Sequence, residues 1–209
     1  MCIKRSAAVS VIGLAVIGLS ASGVFADDSH GARYRWDIFQ LENVTATTFT
    51  IAPGGTSTSQ ATFYPAQLAG DNSTITVTGG GTFRLNDGDD VTGGGTWTTA
   101  AADGTVAGTG TYRVTHLVFF ELGAGTLAGA PGITDETGKL ADTRAGLAVL
   151  RVHYSDGATG ILVVSCTIGG PPAVIEGTTA TKGVVDYSNP LIPDGTTGNT
   201  LFHVIDNSD

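Results

Sequence analysis

Two basic side chains lie close together in the most apolar part of the sequence and could bind a ligand. Arg151 and His153 alternate within the segment 147–154, LAVLRVHY, and alternate residues of a β-strand project from the same face. A permanently charged guanidinium beside an imidazole that titrates near neutral pH can hold an anionic or carbonyl oxygen. Glu121, in another apolar segment, could add a carboxylate. We predict a site for a small apolar or anionic ligand at Arg151, His153 and Glu121; the competing interpretation is a hydrated outer face.

Three histidines fall on predicted strands, where they could converge on a metal ion. They are His116, His153 and His203, and three imidazoles with an open coordination position suit Zn²⁺. Strand alternation, however, places His116 on one face with Tyr112 and Val114, which predicts a hydrogen-bonded core histidine. We therefore predict no metal site and no cofactor.

An acidic segment, Asn-Asp-Gly-Asp-Asp at 86–90, has the oxygen-rich composition that Ca²⁺ prefers. It lacks the spacing and the distal glutamate of the twelve-residue calcium loop. Asn-Asp-Gly is also typical of a tight hairpin turn, because these residues tolerate positive φ. We interpret the segment as a turn.

The common catalytic motifs are absent from the sequence. There is no G-x-S-x-G elbow, H-E-x-x-H helix, C-x-x-C pair or phosphate-binding glycine loop in a strand–helix context. Glu121, Glu176 and Asp186 could act as general acids or bases, but no spacing rule pairs them. The sequence therefore assigns no catalytic residue.

The elements that would position these residues are strands. The chain has 31 glycines and 31 threonines, and short segments rich in β-branched and aromatic residues alternate with glycine-bearing turns. Gly-Thr-aromatic units recur at 81–83, 95–97 and 110–112, which predicts an antiparallel meander. Glycines near strand ends permit the coiling that barrel closure needs. We predict an all-β, single-domain antiparallel β-barrel, with a β-sandwich as the alternative.

The segments 147–154 and 160–168 flank Ser-Asp-Gly-Ala-Thr and predict a hairpin near the centre of the sheet. Cys166 lies in the second strand among apolar neighbours and is predicted to be a buried, unreactive thiol. In its glycine-punctuated strands, the segment 79–122 resembles part of the small exported barrels of the dirigent and allene oxide cyclase type. This resemblance covers under a quarter of the chain and carries no functional residue across.

The first 26 residues have the features of a secretory signal peptide. Lys4 and Arg5 precede an apolar stretch at 7–19, and Ala26 ends the segment with the small residue that signal peptidases require. We expect a mature chain of 27–209, secreted or periplasmic, with no membrane span. Removing two cations changes its formal net charge from −9 to −11.

Composition narrows the classes of partner. The chain has ten basic and nineteen acidic residues and no cluster of Lys or Arg. Nucleic acid is therefore not expected as a partner. The hypothesis favoured by the sequence is an exported small-ligand-binding protein or a surface or matrix module. One alternative is a small β-barrel enzyme of the cyclase or isomerase type, with a few polar groups in an apolar cavity. A second is self-association into a structural assembly through an unpaired strand edge.

Overall fold

The computed structural model describes residues 31–61, 72–168, 176–191 and 198–205. The predicted signal peptide at 1–26, the predicted strand at 62–64 and most of that at 173–176 lie outside these residues. The described residues contain no α-helix, and a 3-10 turn at Leu140–Asp142 is the helical segment found there. None of their helical structure has the length and apolar character that a membrane crossing requires. The all-β prediction is confirmed.

Sixteen strands occur in the described part of the chain. They are β1 (Arg33–Glu42), β2 (Phe49–Ala52), β3 (Thr56–Gln60), β4 (Thr74–Thr78), β5 (Gly80–Arg84), β6 (Asp87–Val91), β7 (Gly94–Ala100), β8 (Val106–Leu122), β9 (Ile133–Asp135), β10 (Thr143–Arg144), β11 (Gly146–Tyr154), β12 (Thr159–Cys166), β13 (Gly177–Lys182), β14 (Val185–Tyr187), β15 (Asn189–Leu191) and β16 (Asn199–Ile205).

One long hairpin organises the first half of the sheet. The strands β4 and β5 form one arm of this hairpin, and β6 and β7 form the other. The two arms pair antiparallel in one register, from Thr74↔Ala100 through Gly80↔Gly94 to Phe83↔Val91. Its turn is Leu85–Asn86, with Asn86 at φ 68°; the predicted turn at 86–90 is thus correct for Asn86, whereas the residues from Asp87 onward already belong to β6. The glycines of the first two repeated units lie midway along this hairpin, where the two backbones approach closely.

The second half of the sheet continues from β7 through β8, β11, β12 and β13 to β14. The predicted hairpin of 147–154 with 160–168 is confirmed, because β11 and β12 pair antiparallel from Gly146↔Cys166 to His153↔Thr159. The inward side chains of β11, including Leu150 and Tyr154, are almost fully buried.

On the other side, β5 pairs with β1 and β1 with β16. The segment 123–144 lies over the outer side of these strands. Within it, β9 pairs parallel with β2, and β10 pairs with β16. Both faces of the middle of β16 are consequently buried.

The strands form a single mixed sheet whose backbone ladders do not close on themselves within the described residues. Side chains make some of the remaining connections. Ser59 of β3 donates to the Thr178 carbonyl of β13, and the Thr178 N–H donates to Ser57 Oγ at 3.0 Å. The core between the strands is aromatic and aliphatic, with Trp36, Phe83 and Phe202 fully buried.

Candidate functional site

The predicted ligand residues lie on the outer face of the sheet. Arg151 and Glu121 are exposed and His153 is half-buried, while the alternating Val152 points into the core. Arg151 and His153 share a face, as predicted. Glu121 is opposite Leu147 in the β8–β11 register, four residues, or about 13 Å, along the strand from Arg151. The fold therefore brings two of the three predicted residues together and places the third apart.

His116 is not a core residue, which corrects the prediction from strand alternation. The pairing of β8 with β11 shifts between Val149 and Leu150 and again between Arg151 and Val152. Each extra residue on β8 reverses which side chains face inward. His116 is thus 38% exposed, and its Nδ1 lies 2.8 Å from the Asp89 carboxylate.

A groove opens between the tip of the long hairpin and β8. It has a volume of about 360 Å³ and is lined by Leu85, Asn86, Gly88, Leu117, Val118, Phe119 and Phe120. The side chains of Val118 and Phe119 are half-exposed. This groove was not predicted from the sequence; its signal there is the unbroken apolar run at 117–120, which departs from the alternation of a half-buried strand.

Four adjacent strands carry the sequence Thr-x-Thr on their outer side. The cross-strand registers align these residues in two rows. The rows are Thr56, Thr78, Thr96 and Thr111, and Thr58, Thr76, Thr98 and Thr109; we call these eight residues the threonine face. The segments 56–60, 74–78, 94–100 and 106–111 contain no charged residue. The abundance of threonine is evident in the sequence, but its alignment across the strands is not.

The threonine face is supported by the buried side chains beneath it and by hydrogen bonds between its own hydroxyls. The intervening residues Ile75, Val77 and Trp97 are buried, and Trp97 Nε1 donates to the Thr111 carbonyl at 3.1 Å. Neighbouring hydroxyls bond each other across the strands, Thr58 to Thr76 and Thr78 to Thr96, both at 2.8 Å. Because β-branched side chains have few χ1 rotamers, the hydroxyls and methyls are fixed in position.

A buried charge cluster fastens the segment 123–144 to the sheet. His203 Nε2 lies 2.8 Å from Asp135 Oδ2, and these two side chains are 3% and 1% exposed. Asp135 Oδ1 also accepts hydrogen bonds from the N–H groups of Thr137 and Gly138. On the other side of the ring, His203 Nδ1 is 3.2 Å from the Arg35 guanidinium and 3.8 Å from Asp37.

Both partners of this cluster titrate away from their ordinary ranges. Burial raises the pKa of Asp135, but hydrogen bonds from His203 and Thr137 outweigh it and lower that pKa to about 2. Burial lowers the pKa of His203, but the hydrogen bond to Asp135 and the nearby Asp37 carboxylate outweigh it and leave that pKa above its usual value. The arrangement favours an ion pair, and it joins β9 to β16 and β1.

A second acidic group, the partly buried Glu176, links the residue that follows β12 to β16. Its carboxylate accepts hydrogen bonds from Thr167 and Thr200, with the two N–H donors at 2.7 and 2.9 Å. Burial raises the pKa of Glu176. The Cys166 thiol is buried nearby, and burial together with the Glu176 charge raises the thiol pKa. A protonated, enclosed thiol is a weak nucleophile.

The three histidines occupy separate surroundings. His116 bonds Asp89, His153 stands opposite Arg113, and His203 is enclosed by the buried cluster. In the part of the chain that the structure describes, no three His, Cys, Asp or Glu side chains are placed to hold a metal ion.

Comparison with protein-family models, with curated proteins and with solved structures gives no match to this chain.

Proposed function

We propose that the protein is an exported surface-binding module that acts through its threonine face. The proposal combines the signal-like sequence at 1–26 with a recognition surface on the sheet, and it corresponds to the surface or matrix role expected from the sequence. Its action is binding, and its partner is an extended, uncharged surface rather than a small molecule.

The observation that supports this proposal is the absence of charge from the threonine face. The whole chain carries 29 charged residues, yet the four segments that form this face carry none. A solvated sheet surface ordinarily bears Lys, Glu or Arg, which keep it hydrated and prevent association. A rigid array of hydroxyls and methyls instead complements a neutral, regularly spaced partner, because complementarity of charge sets the choice of partner.

Adsorption to uncharged solids tests this proposal. We expect the purified protein to partition onto at least one of microcrystalline cellulose, chitin or ice. Thr98→Lys, which places a cation in the middle of the face, should weaken that partition about tenfold. The matched control is Thr159→Lys, at an exposed position of β12 outside the face, and it should bind like the unmodified protein. The proposal fails if the protein binds none of the solids, or if both variants bind equally.

A second candidate function is the binding of a small apolar ligand in the groove at 117–120. It is favoured by the half-exposed side chain of Phe119, since an aromatic ring beside a groove gives an apolar ligand a large contact area. The dye 1-anilinonaphthalene-8-sulfonate, which is apolar and anionic, is a suitable probe.

Binding of this dye distinguishes the groove from the ligand site predicted from the sequence. If the groove binds it, Phe119→Ser should weaken binding about tenfold, and Arg151→Ala should leave it unchanged. If Arg151 and His153 form the site, Arg151→Ala and His153→Ala should weaken binding and Phe119→Ser should not. In either case Arg151→Ala should change the free energy of unfolding by less than about 0.5 kcal/mol, because the side chain is exposed. Saturable dye fluorescence and urea unfolding give both quantities.

For the architecture of this module we propose a barrel whose closure is completed by side chains. It is supported by the hydrogen bonds between Ser59 and Thr178 and by the single residue, Ser188, that separates β14 from β15, the partner strand of β3. The sandwich remains the alternative. The small-enzyme and self-association hypotheses also stay predictions. The elution volume of the protein in size-exclusion chromatography tests self-association.

A further inference from the structure

We infer that the partner of the threonine face is ordered water, and that the protein binds ice. This inference rests on the proposed function, because it names the surface that the threonine face contacts. It is argued from the spacing, the chemistry and the rigidity of the eight threonines.

The spacing of the threonines forms a two-dimensional lattice. Adjacent strands are about 4.8 Å apart, and alternate residues along a strand are separated by about 6.7 Å. The registers Thr76↔Thr98 and Thr96↔Thr111 keep these positions aligned from strand to strand. The distance between strands is close to an oxygen repeat of hexagonal ice, so water molecules seated between threonines of neighbouring strands can occupy ice-like positions.

Threonine has the chemistry that such water requires. Each hydroxyl is both a donor and an acceptor, as a water molecule is. The neighbouring methyl group offers no hydrogen bond, so water above it bonds to other water molecules. Water bridging two protein groups is nearly as favourable as a direct hydrogen bond. A face that alternates hydroxyls and methyls therefore orders water, and it carries no charges that would turn the water molecules away from an ice-like orientation.

Because the threonine side chains are rigid, the weak contacts that each one makes with ordered water can add together. The hydroxyl of Thr78 bonds both the Thr96 hydroxyl and the Thr96 N–H, at 2.8 and 3.0 Å. The side chains are thus ordered before binding, and little conformational entropy remains to be lost on contact. Strands in a sheet twist relative to each other. The best match is consequently expected over the central strands β4 and β7, which places Thr76 and Thr98 at the centre of the contact.

Other neutral partners fit the face less well. Flat sugar rings pack against exposed aromatic rings, which supply apolar area together with a polar edge. The one aromatic residue in the four segments is Trp97, and it is 3% exposed and faces the core. Recognition of nucleic acid or of an anionic lipid headgroup would call for basic groups, which these segments lack.

Partition of the protein between liquid and a slowly grown ice fraction tests the inference. We expect the unmodified protein to be enriched in the ice and to slow ice recrystallisation. The enrichment of the Thr98→Lys variant should be about tenfold lower, and that of the Thr159→Lys variant should be unchanged. Should Thr98→Lys melt earlier than the unmodified protein, Thr109→Lys, at an exposed position of β8, replaces it.

The result that overturns the inference is exclusion of the unmodified protein from ice, or equal enrichment of the face variant and the control. Exclusion from ice combined with Thr98-dependent binding to cellulose or chitin would reject ice and retain the surface-binding function. Failure to bind any of these solids would reject both.

Discussion

Replacing Asp135 by asparagine is expected to lower the free energy of unfolding by about 3 kcal/mol, because it breaks a buried ion pair and leaves its cationic partner uncompensated. Asp135 and His203 are both almost fully buried. In the Asp135→Asn variant His203 keeps its enclosed position beside the Arg35 guanidinium, 3.2 Å away. Urea unfolding followed by tryptophan fluorescence measures the change.

The same pair predicts how the stability of the protein depends on pH. The pKa of Asp135 is lowered to about 2, so its stabilisation is present above about pH 4 and is lost as the pH falls toward 2. The pKa of His203 is raised, so its stabilisation is complete below about pH 6.5 and is lost as the pH rises through the raised value. The pair therefore stabilises the fold most between about pH 4 and pH 6.5.

The matched control for this prediction is Asp37→Asn. Asp37 lies 3.8 Å from His203 on the opposite side of the ring, and its side chain is 24% exposed. Its removal should cost about 1 kcal/mol or less, as is usual for partly solvated ion pairs. The Asp135→Asn variant should lose the pH dependence of stability that the ion pair contributes. The prediction is contradicted if the free energy of unfolding of the variant and that of the unmodified protein change with pH in parallel.

Gly95→Ala is expected to destabilise the protein by about 3 kcal/mol or more, as overpacking against a backbone that cannot move aside does. A Cβ at this position would lie 1.9 Å from the Thr78 carbonyl oxygen and 2.9 Å from Gly79 Cα. Because the long hairpin is paired along its whole length, neither backbone can retreat without breaking neighbouring ladder bonds. The measurement is the midpoint and the free energy of unfolding in urea.

Gly104→Ala provides the comparison for Gly95. Gly104 lies in the turn between β7 and β8 with φ +83°, and no atom of the described residues lies within 4 Å of the methyl group that alanine would add. Its replacement should cost only the backbone penalty of a left-handed residue, about 1–2 kcal/mol. Equal costs for the two substitutions would show that the close approach at Gly95 does not limit the fold.

Local sequence signals were sufficient to predict the strands and several turns. The apolar alternation of 147–154 and 160–168 around a polar turn specified a hairpin, and β11 and β12 pair in that way. Asn86 is at positive φ in a hairpin turn, as the segment at 86–90 predicted. These features depend on residues close together in the chain, so their chemistry can be read directly from the sequence.

Strand alternation failed where the tertiary structure changes the register. The two irregularities in β8 turn His116 outward, opposite Arg151. An extra residue in one strand carries no local sequence signal here, because it arises from pairing with β11 and from packing of the Gly88 turn against His116.

Residue types and their local order are enough to specify threonine-rich strands joined by glycine and asparagine turns. Which of those strands become neighbours depends on long-range pairing. Asp135 lies beside His203, 68 residues away in the sequence. The Thr-x-Thr segments become one face because β3, β4, β7 and β8 pair in registers that keep these eight threonines outward. A shift of one residue in any of these pairings would turn a row of threonines into the core. Such registers are fixed by the burial of Ile75, Val77 and Trp97 together, which is a property of the assembled sheet and not of any single segment.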